Sequence, residues 1–186
     1  MPEFVLRPMR AADLPAVLAI QAQCYGDALV ESANALESRL TLSPATCWVA
    51  ALATPSHHGH SSPSLAAYLF THAWPEASLP PWNGQLVCDW PDTEPLTWFI
   101  HDMAVAPIGR GAGLASRLHD AARDVALNDG LRSSRLIAVQ AADGYWRRLG
   151  YAPLAAGTHA AKLAAYGEAA VLMGCELVGN DCRTSP

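Results

Sequence analysis

The stretch from Leu96 to Val125 constrains this chain more than any other. It opens with an aromatic and aliphatic run, Leu96 to Ala106, which reads as a buried strand and ends at Pro107. Gly109, Gly111 and Gly113 follow, and then Leu114, Leu118, Ala121, Ala122 and Val125 recur at the spacing of one helix face. Such an order sets the unpaired N–H groups of a first helical turn at the end of a strand, where glycines keep Cβ atoms out of a ligand's way. That arrangement suits phosphate. Two common phosphate loops are excluded: no Gly-Lys-Ser/Thr follows, and a G-x-G-x-x-G reading puts Leu114 or Ser116 in the last glycine slot.

Around this unit, Phe4–Pro8 reads as a strand, and Asp13 as the N-cap of a helix carrying Leu14, Val17, Leu18 and Ile20. A second helix is expected over Glu31–Leu42, with Ala33, Leu36 and Leu40 on one face, ending at Ser43-Pro44. Cys47–Leu52 and Leu65–Thr71 read as a hairpin, joined by a Pro-, Ser- and His-rich flexible loop at 54–64. Residues 73–95 hold five of the 14 prolines and three of the six tryptophans without a period, an irregular insertion of the kind that is often functional. After the helix, Asn128-Asp129-Gly130 is a stop; Leu136–Val139, Tyr151–Leu154 and Ala169–Leu177 read as strands and Tyr145–Leu149 as a short helix. The alternation implies one α/β or α+β domain over residues 1–186 with a mixed sheet.

Composition narrows the partners. Hydrophobic residues make up 51% of the chain and charged ones 16%, which excludes disorder of the whole. The net charge of -5 argues against nucleic acid or an anionic membrane as a partner. Its distribution is uneven, with 3 basic and 10 acidic residues up to Gly109, then 9 and 7 from Arg110 on. The first part suits a cation and the second an anion. Five cysteines without a C-x-x-C pair make neither a zinc cage nor a disulfide framework, and His57, His58 and His60 lie in the flexible loop, so no metal is expected. No basic segment leads into an apolar one at the start, and no apolar run approaches the roughly 20 residues of a membrane span, so the expectation is a cytoplasmic protein.

Arg110, Gly113 and Ala115, directly after Met103-Ala104-Val105-Ala106-Pro107, form an R-x-x-G-x-A pattern that resembles the pyrophosphate motif of the GNAT superfamily of acyl-CoA-dependent N-acetyltransferases. Tyr145-Trp146-Arg147-Arg148-Leu149-Gly150-Tyr151 is similar to that family's F-Y-x-K-x-G-F segment. The resemblance covers nearly the whole chain. It implies the GNAT fold, a mixed, mostly antiparallel sheet of about seven strands flanked by about four helices, and acetyl-CoA as cosubstrate without a metal. It also implies that the pantetheine arm runs along Met103, Ala104 and Val105, and that the pyrophosphate sits on Arg110, Gly111, Ala112, Gly113, Leu114, Ala115 and Ser116. The Met103 amide would face the thioester carbonyl. Arg147 and Arg148 read either as further phosphate contacts or as a solvated helix face.

Phe99-Ile100-His101-Asp102-Met103-Ala104-Val105 most resembles arylalkylamine N-acetyltransferases, in which a histidine at the position of His101 helps remove the acceptor's proton. The family's second histidine is replaced by Phe99. Imidazole suits that task, because an amine arrives mostly as ammonium and attacks only when neutral. Asp102, next along the strand, is expected to face away as a structural acid. The tyrosine that commonly protonates the leaving thiolate falls at Trp146, which leaves the general acid open. Trp74, Trp82, Trp90 and Tyr25 read either as an apolar pocket for an amine or as ordinary packing. The resulting expectation is acetyl transfer to a small primary amine, an aralkylamine or a polyamine. Alternatives are acetylation of a protein N-terminus or lysine and a non-catalytic CoA-binding module; a homodimer is compatible with each.

Overall fold

The computed structural model describes residues 2–26, 29–53 and 64–177, so the expected loop at 54–64 lies outside the described residues except for Ser64. The elements are β1 (Phe4–Pro8), α1 (Leu14–Cys24), α2 (Ala33–Leu42), β2 (Trp48–Leu52), β3 (Leu65–Pro75), β4 (Leu96–Val105), α3 (Leu114–Asn128), β5 (Ser133–Ala138), α4 (Asp143–Arg148), β6 (Ala152–Pro153), α5 (Ala160–Ala164) and β7 (Val171–Glu176). The seven strands form one sheet in the order β1-β2-β3-β4-β5-β7-β6. Among the described residues there are five α-helices, one more than about four. The extra one, α5, has only Leu163 as a large apolar residue and so shows no periodic face.

The chain groups into two compact units. The first takes in 1–72, 81–89 and 101–125, the second 73–80, 90–100 and 126–186. In the first, β1 pairs antiparallel with β2 and β2 with β3, Val5 opposite Ala51 and Ala50 opposite Ala67. The leading eight residues of β3, Leu65–His72, are all buried, the pattern of a strand covered on both faces rather than one with a wet side. Leu14, Val17 and Ile20 of α1 and Leu36 and Leu40 of α2 pack with Val49, Tyr68 and Phe70. Burying each such side chain contributes about 1.5–3 kcal/mol.

Two helix starts differ from expectation. Asp13 holds the expected N-cap position of α1, but its carboxylate makes no cap bond; it takes both guanidinium nitrogens of Arg7 at 2.7 Å and the Arg10 N–H at 2.8 Å, bracing the chain between β1 and α1. The helix α2 begins at Ala33, because the Ser32 hydroxyl accepts from the Ala35 N–H at 3.2 Å and makes Ser32 the cap. Glu31 therefore stands outside the helix, and Ala35 rather than Ala33 is buried.

In the second unit, β4 runs parallel to β5, with Trp98–Ile100 opposite Ser134–Leu136, and β5 pairs antiparallel with β7 over six residues. Gly174 of β7 has no room for a side chain, since a Cβ there would lie 2.8 Å from Leu154 Cδ1 and 3.1 Å from the Ser134 carbonyl oxygen. Part of the insertion is anchored here. Glu76 takes the Ser133 hydroxyl at 2.7 Å and the Arg135 guanidinium on its carbonyl, and Leu79 receives Lys162 Nζ at 2.6 Å. Among the described residues no helix is long and apolar enough to cross a membrane.

Candidate active site

The glycine-rich turn is built from three different requirements. At Gly109 the need is space: a Cβ would lie 2.7 Å from Leu114 Cδ1 and 3.0 Å from the Ala66 carbonyl oxygen. At Gly111 (φ +78) and Gly113 (φ +67) the need is backbone conformation, and a Cβ on either would meet nothing within 4 Å, so the space above the turn is open. The α3 ladder starts with the Arg117 N–H donating to Gly113 O at 3.1 Å. Leu114 points into the core, whereas Arg110 and Gly113 are exposed and Ala112, Ala115 and Ser116 half-buried around the helix start. The outcome is a 15-residue helix N-terminus beside open space, with the exposed Arg110 guanidinium close to Cys24, an arrangement that attracts anions.

Upstream of the turn, His101 sits in a chain of buried polar groups. Its Nε2 lies 3.0 Å from Glu31 Oε1, and its Nδ1 lies 3.3 Å from His72 Nε2. The other Glu31 oxygen takes Arg39 Nη2 at 2.6 Å and the Asn83 N–H at 2.9 Å. Burial alone would raise the Glu31 carboxyl, but His101, Arg39 and the Asn83 N–H outweigh it and hold it below its ordinary value. An ionised carboxylate only accepts, so His101 Nε2 carries a hydrogen. The basic atom of the neutral ring is then Nδ1, which faces His72. The irregular insertion supplies part of the walls: Arg39 also donates to the carbonyls of Gly84 (3.1 Å) and Pro81 (3.3 Å), and Asn83, in left-handed conformation at φ 50, accepts from the Ser32 N–H at 2.7 Å.

Asp102 has a separate set of partners. Its Oδ2 accepts from Gln21 Nε2 at 3.0 Å and the Tyr68 hydroxyl at 2.7 Å, and its Oδ1 lies 2.7 Å from the Tyr25 hydroxyl. Gln21 joins the two acids, since its Oε1 takes the Glu31 N–H at 3.0 Å. Asp102 thus meets α1 and the residue after it, His101 meets the segment leading to α2, and Tyr68 and His72, four residues apart on β3, serve Asp102 and His101 respectively.

Of the residues expected to line a pocket, Tyr25 serves Asp102. Trp74 and Trp90 pack edge to face in the second unit at 5.2 Å, and Trp74 donates to Ser78 at 3.0 Å. Trp146 is buried, edge-on to Tyr145 and Tyr151. Arg147 and Arg148 are exposed, Arg147 beside Asp143 at 3.4 Å and Arg148 over the Tyr145 ring, a solvated helix face in this structure. Glu31, Arg39, Gln21, Tyr68 and His72 carry no motif and were not expected at the site.

Residues 62–151 match the model of the acetyltransferase (GNAT) family. Solved structures share the fold over almost the whole chain. The NatC complex bound to Gag peptide and CoA has a TM-score of 0.67 at 14% identity, covering 95% of this chain and 99% of that one. Ard1 from Thermoplasma volcanium has 0.64 at 15%, covering 95% and 99%. The GNAT-like decarboxylase GphF in complex with isobutyryl-CoA has 0.61 at 18%, covering 94% and 100%. No curated protein sequence matches the chain significantly. The chain has the fold of these GNAT structures, and the match to the acetyltransferase family model lies within its residues 62–151.

Proposed function

We propose that this protein transfers acetyl from acetyl-CoA to a primary amine of a small molecule, an aralkylamine or a polyamine, by direct attack in a ternary complex. The observation that carries the reading is the Glu31–His101–His72 chain, which sits on β4 a few residues before the turn at Gly111 and Gly113. The pantetheine arm would run along Met103, Ala104 and Val105, and the pyrophosphate would rest on Arg110 to Ser116, where the helix start and Arg110 oppose its charge. The Met103 amide would face the thioester carbonyl and stabilise the oxyanion. His101 is the base. Glu31 fixes its tautomer, so the acceptor's proton enters at Nδ1, through His72 or water, and the imidazolium is stabilised by the carboxylate. His72 then supplies from β3 the second histidine that Phe99 replaces on β4. A preference for cationic acceptors is supported by the 10 acidic against 3 basic residues up to Gly109.

Free CoA release, measured with a panel of aralkylamines, polyamines and peptides, tests the reading. Turnover of small amines is expected. Turnover of peptides alone moves the acceptor to a protein, and tight acetyl-CoA binding with no turnover of any acceptor sinks the enzyme. The cofactor assignment has its own check in Gly113→Glu, which sets a carboxylate and a strained φ of +67 at the turn. Acetyl-CoA affinity, measured by calorimetry, should fall at least about tenfold, or about 1.4 kcal/mol.

A further inference from the structure

Acetyl transfer, on which this inference rests, ends with a leaving group to protonate. When the amine attacks, the C–S bond breaks and its electron pair departs with sulfur as a thiolate, which must take a proton to become the thiol. Trp146 cannot supply it, because an indole N–H does not titrate in water's range. A phenol is present in the first unit instead. Tyr25 follows the last residue of α1, and its hydroxyl lies 2.7 Å from Asp102 Oδ1 and 2.9 Å from the Met103 carbonyl oxygen.

Direction along β4 decides which edge this is. The Ala106 N–H donates to Ala66 of β3 at 2.8 Å, so Met103 and Val105, an odd number of residues away, direct their polar groups to the opposite edge. Tyr25 and Cys24 both stand at that edge, the Cys24 sulfur 3.5 Å from the Val105 carbonyl oxygen. In an extended residue the N–H and C=O share an edge, so the Tyr25 hydroxyl flanks the place where the Met103 amide would hold the thioester.

A hydrogen count adds a second observation. Tyr25 has one hydroxyl hydrogen and two oxygen neighbours within hydrogen-bond distance. An ionised Asp102 makes the one hydrogen shared between two acceptors, whereas a protonated Asp102 satisfies both contacts fully, Asp102 donating to Tyr25 and Tyr25 to Met103. Burial lifts the Asp102 carboxyl above its ordinary value, Glu31 adds to this, and the donors Tyr68, Tyr25 and Gln21 do not reverse it. Burial, Asp102, Cys24 and Glu31 together hold the Tyr25 hydroxyl well above its ordinary value of 10.0.

We propose that Tyr25 is the acid that protonates the leaving thiolate, with Asp102 as its proton reserve. As the C–S bond breaks, the Tyr25 O–H hydrogen passes to sulfur and forms the S–H bond. The electron pair stays on the phenolic oxygen, which takes the proton of Asp102. Asp102 finishes ionised and is reprotonated from water before the next turnover, while the amine's proton leaves through His101. The groups facing the pair are Tyr68 from β3, Gln21 and Cys24 from α1 and Glu31 from the segment before α2. The pair titrates as a unit, so activity falls as pH rises past the point where it loses its stored proton.

The experiment is a kcat–pH profile of full-length wild type, Tyr25→Phe and Asp102→Asn with acetyl-CoA and an amine that the wild type acetylates. Tyr25→Phe should lose about 100-fold in kcat and the alkaline limb of the profile, with its KM for acetyl-CoA within about twofold of wild type. Asp102→Asn should lose the limb with a smaller fall in kcat. An unchanged kcat overturns the proposal. So does a fall matched by an equal loss of CoA affinity, or one that leaves the limb in place, because either marks Tyr25 as packing. Should Tyr25→Phe not fold, 3-fluorotyrosine at position 25, a more acidic phenol, must move the limb to lower pH, and an unmoved limb overturns the proposal. A wild type that transfers no acetyl defeats the acetyl-transfer reading itself, a result distinct from any of these.

Discussion

Glu31 and Asp102 are both buried acids that bear on adjoining residues of β4, yet their surroundings are opposite in kind. Glu31 faces a guanidinium, an imidazole and a backbone N–H; Asp102 faces two phenols and an amide. Cations reverse the effect of burial and neutral donors do not, so the first carboxyl is held below its ordinary value and the second above it. Two buried acids joined by Gln21 are thus shifted in opposite directions by the groups around them.

The comparison breaks most visibly at Arg39. Arg39→Met leaves the Glu31 charge buried without its guanidinium partner, and urea unfolding should show a loss of about 3–5 kcal/mol. His101→Ala acts on rate rather than fold, with an expected fall of about 100-fold in kcat and loss of the acidic limb of the rate profile; an unchanged rate and profile would make His101 structural. Gln21→Met, which removes only neutral hydrogen bonds from the two acids, should cost about 1–3 kcal/mol by the same unfolding assay.

The smallest effects are in the pH dependence of stability, and they have opposite signs. Glu31, with its folded value lowered from 4.5, stabilises the fold above that pH and loses this contribution as pH falls through the folded value. Asp102, with its folded value raised from 3.8, contributes fully below that pH and loses the contribution as pH rises through the folded value. Thermal melts across pH should therefore show a flatter acid side for Glu31→Gln, and for Asp102→Asn a smaller decline as pH rises. If both variants flatten the same side, the two acids are not held in different states.

How much of this was legible follows sequence distance. The strand, turn and helix from Leu96 to Asn128 were readable because each element depends on neighbours within a few residues, and the φ at Gly111, Gly113 and Gly130 requires glycine locally. Glu31 was misread as the first residue of a helix, since glutamate is a good helix former and its partners His101 and Asn83 lie 70 and 52 residues away. A reading of Ser32 as the cap would have set it outside. His72 escaped notice as a residue beyond the expected end of an apolar strand at Thr71, and the partners of Asp102 lie 34 to 81 residues away.

By itself, then, the sequence determined where most of the strands and the longer helices fall, that a glycine turn opens α3 on an anion-attracting face, and that His101 stands before it. These rest on periodicity and backbone conformation, which act over short distances. Only the tertiary structure decided which groups surround His101 and Asp102, which of the two carboxyls is held below its ordinary value, and that a phenol from the end of α1 reaches Met103. Burial and hydrogen-bond partners set those properties, and both come from segments that the chain order keeps apart.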